Sequence, residues 1–166
     1  MNKPIFCLLL LILAGSLFAL DGVTFGVGGE ANGSGREAIA AGGVLSIGLD
    51  IIPNFSIGIK KAYYYDFDLI TVMEDTGFFR WYPLNKFGLF IQAELGTMIY
   101  FEDSNSSPAF QGGFAAGWRF LFPQNSGAGM NFYLEPYVRG GYPYLWGGGI
   151  LMGVRVNNKT LIREED

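Results

Sequence analysis

Charged residues recur at alternate positions of otherwise apolar segments, and this spacing places them on one face of predicted strands. Carboxylates and cations so arranged can pair inside a narrow space, gate a pore or pass protons, and two carboxylates can hydrolyse a glycosidic bond. The signs nearly balance and no cleft can be inferred around them, so we expect a paired network that plugs the space. Its predicted members are Glu30, Lys60, Glu74, Arg80, Glu94, Arg119, Glu135, Arg139 and Arg155.

Residues needed for several other chemistries are missing. The sequence has no His, and its one Cys, Cys7, lies in the apolar N-terminus. Ser-His and Cys-His catalytic pairs, thiolate metal sites and disulfides are therefore excluded. Gly26-Val27-Gly28-Gly29 and Gly147-Gly148-Gly149 lack the Lys and the strand-loop-helix context of a phosphate-binding loop. We therefore predict no catalytic residues, no metal, no cofactor and no enzymatic activity.

Eight segments alternate apolar and polar residues with a period of two, as strands do. In the clearest segment Tyr133, Glu135 and Tyr137 share one face, and Phe132 and Leu134 share the other. Polar residues pointing inward and apolar residues pointing outward are the pattern of a membrane barrel. The segments are 22–31, 40–51, 54–65, 70–82, 88–101, 110–122, 131–139 and 145–156.

Turn-forming residues support this even strand count. Pro53-Asn54, Pro83-Leu84-Asn85 and Pro123-Gln124-Asn125 follow every second segment. We predict an all-β fold, an eight-stranded antiparallel up-and-down transmembrane β-barrel with these turns in the periplasm. The predicted extracellular loops contain 32–36, Asp66 and Asp68, 102–107 and 140–143.

Two residues conflict with a regular strand. Asp75 would point outward if its strand keeps one register, so we place residues 70–75 above the bilayer. Pro136 has no N–H to donate to a closed ladder, so we expect a bulge there.

Aromatic residues collect at both ends of the predicted strands, as they do at membrane interfaces. The alternative is a soluble lipocalin-like barrel that buries these rings, but Glu94, Arg119 and Glu135 share the face that its core would have to bury. We assign Phe55, Trp81, Tyr82, Phe120, Phe122 and Phe132 to a girdle near the Pro turns, and Tyr63, Tyr65, Tyr100, Tyr142, Tyr144 and Trp146 to the opposite girdle.

Composition agrees with an exported membrane protein. The chain has 166 residues, of which 50% are apolar and only 16% are charged, too few for a typical soluble surface. Lys3, an apolar run over 5–13 and small residues up to Ala19 predict a signal peptide at 1–19, with cleavage after Ser16 as the alternative. Residues 20–156 are then the barrel and 157–166 a polar C-terminal tail. No basic block is present, which excludes nucleic acid as a partner.

One stretch carries a family resemblance. Arg80-Trp81-Tyr82-Pro83 followed by Phe87-Gly88-Leu89-Phe90-Ile91 resembles the small outer-membrane β-barrel domain family, similar to the eight-stranded outer-membrane protein A and X class. The resemblance covers about residues 20–156 and implies a bacterial outer-membrane location, contact with outer-membrane lipid and insertion by the barrel-assembly machinery. Members commonly end in an aromatic residue, whereas Val156 is followed here by the polar tail, so we expect an internal insertion signal.

Several functions are compatible with such a barrel. We expect a monomer with a structural or surface-interaction role. The alternatives are a narrow channel or transporter for small or apolar solutes, and a soluble periplasmic ligand-binding barrel of lipocalin type.

Overall fold

The computed structural model describes residues 20–34, 39–66, 71–84, 87–102, 105–123 and 129–157. The strands are β1 (Gly22–Gly33), β2 (Ile39–Ile52), β3 (Phe55–Asp66), β4 (Thr71–Leu84), β5 (Leu89–Glu102), β6 (Asn105–Trp118), β7 (Phe120–Pro123), β8 (Met130–Tyr142) and β9 (Trp146–Asn157). The predicted signal peptide, most of the tail and parts of the predicted loops and turns lie outside the described residues. Within these ranges no helix is long and apolar enough to span a membrane.

The strands close into a ring because the first and the last strand pair. β1 pairs with β2 on one side and with β9 on the other, and the pairings are antiparallel. β6 and β7 both pair with β8 and are two parts of one barrel strand, interrupted at Arg119. The described barrel therefore has eight strands, and the predicted fold class is confirmed.

The strand register tilts the strands relative to the barrel axis. One row of paired residues starts at Phe25 on β1, crosses β2 to β5 and reaches Gly112 on β6. In the other direction the same row crosses β9 and β8 and reaches Phe122 on β7. Gly112 and Phe122 lie far apart on one barrel strand, so a row climbs along the barrel as it goes round.

Two predicted loops are shorter than expected. Glu102 pairs with Asn105, so residues 105–107 belong to β6 instead of to a loop. β8 continues through Gly140 and Gly141 to Tyr142, because these residues still pair with β6. Continued pairing satisfies backbone groups that a loop would have to leave to water, and this outweighs the poor strand propensity of Gly and Asn.

The prediction of a bulge at Pro136 is wrong. Pro136 pairs with Ile150, and β8 keeps one register against β9 on both sides of it. Toward β6 and β7 the pairing stops opposite Pro136, at Trp118 and Arg119, and resumes in the same register. The missing N–H therefore falls at a gap in the ladder, which needs no extra residue.

Gly88, directly before β5, lies beside Arg119 at this gap in the ladder. The Arg119 N–H donates to the Gly88 carbonyl oxygen at 2.8 Å. Gly88 has a φ of 69°, and a Cβ there would lie 2.1 Å from the Arg119 carbonyl oxygen. Only Gly fits this close approach of two chain segments.

Asp75 points outward, as one continuous register of β4 requires. It pairs across the ladder with Lys61, which precedes Tyr63 and Tyr65 on β3. Residues 71–75 belong to β4 and continue its pairing with β3 and β5. Their placement above the bilayer stays a prediction.

Candidate functional site: the charged lumen

Strand alternation places the nine predicted network residues on the inner face of the barrel. Eight of them have side chains that are at most 7% exposed, and Arg155, near the end of β9, is 21% exposed. Residues adjacent in sequence point the other way, as Ile91 does beside the buried Gln92. The lumen is therefore lined by charge, whereas the outer face is apolar.

The first group, which we call the glutamate cluster, contains Glu30, Lys60, Glu74, Glu94 and Arg139. Lys60 Nζ lies 3.3 Å from Glu30 Oε2, 3.1 Å from Glu74 Oε1 and 3.4 Å from Glu94 Oε2. Arg139 lies 2.5 Å from Glu30 Oε1, 2.9 Å from Glu74 Oε2 and 2.8 Å from Glu94 Oε2. Two cations thus bind the same three carboxylates and join β1, β3, β4, β5 and β8 through the lumen.

Neutral side chains complete this cluster. The Tyr64 hydroxyl and the Asn32 amide donate to Glu30 Oε1 at 2.5 and 2.7 Å, and the Tyr137 hydroxyl donates to Glu30 Oε2. The Thr76 hydroxyl donates to Glu74 Oε1 at 2.8 Å. Such donors stabilise ionised carboxylates that are removed from water.

The second group, the arginine cluster, contains Arg80, Arg119, Arg155, Glu135 and Asp50. Arg80 binds both oxygens of Glu135, at 2.7 and 2.9 Å, and Arg119 Nε lies 2.8 Å from Glu135 Oε2. Asp50 accepts from Arg155 Nε at 2.6 Å and lies 3.9 Å from Arg119 Nη1. Bidentate Arg-carboxylate contacts of this kind are strong and orientation-specific.

Aromatic rings shield the arginine cluster. The Arg80 guanidinium lies 4.0 Å from the Phe90 ring centroid. The Arg119 guanidinium lies 4.9 Å from the Tyr133 ring centroid and 5.4 Å from that of Tyr82. These contacts add cation-π attraction where water is excluded.

Gln92 connects the two clusters. It accepts from Arg80 Nε at 2.7 Å and donates to Glu94 Oε1 at 2.6 Å. The space beside it, lined by Lys60, Arg80, Phe90 and Tyr137 among others, has a volume of about 10 Å³. A volume of this size holds about one water molecule.

The chemical capacity of the lumen follows from its pairing. Each carboxylate of the two clusters contacts at least one cation, so none is poised as a free general base. No group of three His, Cys, Asp or Glu residues in the described part of the chain is arranged to hold a metal ion. The arrangement is suited to filling and cross-linking the barrel.

Sequence reasoning missed several lumen residues. Asp50 is buried and paired, although its alternation with Leu49 already indicated an inward position at the end of the second segment. Gln92, Tyr64 and Tyr137 share the inward phase of the charged residues but were left out of the predicted network because they carry no charge. Strand phase, applied to polar residues of every kind, would have found them.

Three of the residues assigned to the aromatic girdles point inward, and those assignments are wrong. Tyr82 and Tyr144 are buried in the lumen, where Tyr144 contacts Tyr64 edge-on, and Tyr100 packs partly buried against the same core. They follow or precede outward residues such as Trp81, so alternation requires them to face inward. The other nine lie on the outer face: Phe55, Tyr63, Tyr65, Trp81, Phe120, Phe122, Phe132, Tyr142 and Trp146.

A closed antiparallel barrel with an apolar outer face and an ionic lumen defines the class of small membrane barrels. Solved structures show the same fold. The crystal structure of Neisserial surface protein A (NspA) matches with a TM-score of 0.51 and 12% identity, covering 82% of this chain and 95% of that one. The N-terminal β-barrel domain of Pseudomonas aeruginosa OprF matches with a TM-score of 0.51 and 14% identity, covering 81% and 97%. The resemblance to the small eight-stranded outer-membrane barrels is thus confirmed at the level of fold. No family model matches the chain, and no curated protein matches it.

Proposed function

We propose that this chain is an integral protein of the bacterial outer membrane, with a structural or surface-interaction role and a lumen closed by its own side chains. The observation that carries the proposal is the lumen, where five buried carboxylates pair with five cations, of which only Arg155 is partly exposed. The equal numbers leave no net charge to attract a particular ion.

The outer face supports a membrane location. Large apolar side chains such as Ile59, Leu95, Phe114 and Val138 are more than 60% exposed. In water such a continuous apolar surface would drive aggregation, whereas in lipid it is stabilising. A soluble ligand-binding barrel would need the opposite arrangement, with its apolar side chains inside.

The lumen favours a closed barrel over a narrow channel. A conducting path would have to pass the Lys60 and Arg139 contacts, the Gln92 bridge and the Arg80–Glu135 pair in turn. Two of them, Arg139–Glu74 and Arg80–Glu135, join β8 with β4 across the lumen and would have to break for an ion to pass. Among the described residues, the same pairing leaves no carboxylate of the two clusters free to act as a base, and we propose no enzymatic activity.

The test combines gel migration with electrical recording of the refolded chain. A folded barrel should migrate faster than its boiled form on a detergent gel, and planar bilayers containing it should show no steady currents. The boiled sample is the control for adventitious leakage. Migration that does not change on boiling would contradict the membrane barrel, and steady currents that require the folded form would favour the channel.

A further inference from the structure

Lys61 and Asp75 form an ion pair on the outer face of the barrel. Their charged atoms lie 3.0 Å apart, and each side chain is 47% exposed. Among strand residues whose side chains the structure describes, these are the charged ones that point outward. The function proposed above leaves this pair unexplained.

The pair stands among exposed side chains of the outer face and not at the ends of its two strands. On β3, Lys61 stands between Ile59 and Tyr63, both of which are exposed on the outer face. On β4, Asp75 is followed on the same face by Gly77 and Phe79. Charged side chains on the lipid face are unfavourable, and mutual pairing at the surface offsets only part of that cost.

A missing side chain, at Gly77, opens a depression beside the pair. Gly77 lies opposite Ile59, and a Cβ at Gly77 would meet only the Leu95 carbonyl oxygen, at 3.7 Å. The depression has a volume of about 570 Å³ and is lined by Leu45, Ile47 and Ile59 as well as by the pair. Small residues of this kind let two membrane-embedded surfaces approach closely.

The charge pattern is complementary to itself. A two-fold axis along the membrane normal, passing between β3 and β4, would bring β3 of one copy against β4 of the other. Lys61 of each copy would then face Asp75 of the other, so the contact is isologous and closed. An anionic lipid head group fits less well, because Asp75 already neutralises Lys61 and repels a phosphate.

We propose that β3 and β4 form a homodimer interface within the membrane, in which the Lys61–Asp75 pairs of two copies combine into one group of four charges. This rests on the membrane location proposed above and departs from the monomer expected from the sequence. The apolar depression beside Gly77 closes around the charges and removes them from lipid.

The experiment uses the full chain with Cys7→Ser and Gly77→Cys, reconstituted at low protein density in vesicles of neutral lipid. A short bifunctional maleimide should link two copies. The matched control is Val138→Cys on β8, which is exposed on a distant part of the outer face and should not link. Fast migration of each unboiled variant shows separately that it is a folded barrel.

Single charge reversals then distinguish contact between copies from pairing within one copy. Lys61→Asp and Asp75→Lys each create two like charges, so neither variant should form linked dimers alone. Mixing the two should restore linking, because the surfaces of the two variants are complementary although neither retains an internal pair.

Three results would overturn the dimer while leaving the folded barrel intact. The first is that Gly77→Cys copies with Lys61 and Asp75 intact do not link. The second is that Val138→Cys copies link equally well. The third is that all combinations of charge at positions 61 and 75 link to the same extent. Stabilisation by vesicles of anionic lipid, without linking, would assign the surface to a lipid instead. Loss of fast migration in the parent protein would instead contradict the proposed membrane barrel itself.

Discussion

Glu30 accepts hydrogen bonds from five side chains, those of Asn32, Lys60, Tyr64, Tyr137 and Arg139. Its oxygens are therefore satisfied although the residue is almost inaccessible to water. A buried charge that is paired and fully hydrogen-bonded can be retained, whereas one that loses its partner is strongly unfavourable. The cost of disrupting this lumen should accordingly depend on how many carboxylates lose a partner.

Arg139→Ala tests this dependence. The change removes the cation shared by Glu30, Glu74 and Glu94 and leaves Lys60 to neutralise all three. We expect a loss of about 3 to 5 kcal/mol in the free energy of unfolding. Urea titration of the folded protein in detergent micelles measures it, and bilayer recording reports whether a conducting path has opened.

Arg155→Ala is the matched control for that change. Arg155 is partly exposed and contacts Asp50, which keeps Ser56 and Arg119 as neighbours. We expect a smaller loss, of about 1 to 2 kcal/mol. Equal losses for the two variants, or an unchanged stability of Arg139→Ala, would indicate a lumen wet enough to solvate stranded charges.

The sequence could predict which charged residues face inward but not which of them meet. Period-two alternation placed Glu30 and Arg139 on the inner face from local spacing alone. Their contact joins residues 109 positions apart and depends on the register of every strand between them. No local pattern contains that information. The bulge at Pro136 was mispredicted for the same reason, because the partners of Pro136 lie on neighbouring strands.

At the scale of the strand, alternation divides each element into a lumen face and a lipid face. On β5 the side chains of Gln92 and Glu94 are buried, and those of Ile91 and Leu95 are exposed. The two faces should respond oppositely to charge, since charge is paired on one and faces lipid on the other. Segment 88–101 carried this division clearly, and the structure agrees with it.

Ile91→Arg should therefore be destabilising although Ile91 lies on the surface. If Ile91 lies near the bilayer midplane, a loss of about 2 to 4 kcal/mol is expected. Unfolding in lipid vesicles measures this loss. The control, Asn105→Arg at the exposed start of β6, should change stability by about 0.5 kcal/mol or less. A near-neutral Ile91→Arg would argue against lipid contact on β5.

The ends of strands were less predictable than their faces. Residues 105–107 and Gly140-Gly141 have the composition of loops but remain paired, because their partners continue beside them. Tyr82, Tyr100 and Tyr144 were assigned by their closeness to strand ends, although their phase points inward. How far along a strand a residue lies and which face of the strand it occupies are separate properties. Only the face follows from the alternation of the sequence.

At the scale of the whole molecule, the even strand count places both ends of the barrel chain on the side of the Pro53-Asn54 turn. That side should be periplasmic if the hairpin between β5 and β6 faces outward. In a Cys7→Ser background, Asn105→Cys should react with an impermeant maleimide on intact cells. Asn54→Cys should react only after the outer membrane is permeabilised, since it lies in the turn between β2 and β3. Equal labelling of both positions in intact cells would contradict this orientation.

The pairing of β1 with β9 makes the order of strands circular as well as sequential. Gly22 lies directly opposite Asn157, so the two ends of the described barrel are neighbours across one ladder. The neighbours of each strand are therefore independent of where the chain is cut. A circular permutant that joins the ends of β9 and β1 through a short linker and begins at Asn54 would retain the pairing set of the barrel. The start and the end of this barrel are thus features of its synthesis, while the finished ring has no first strand.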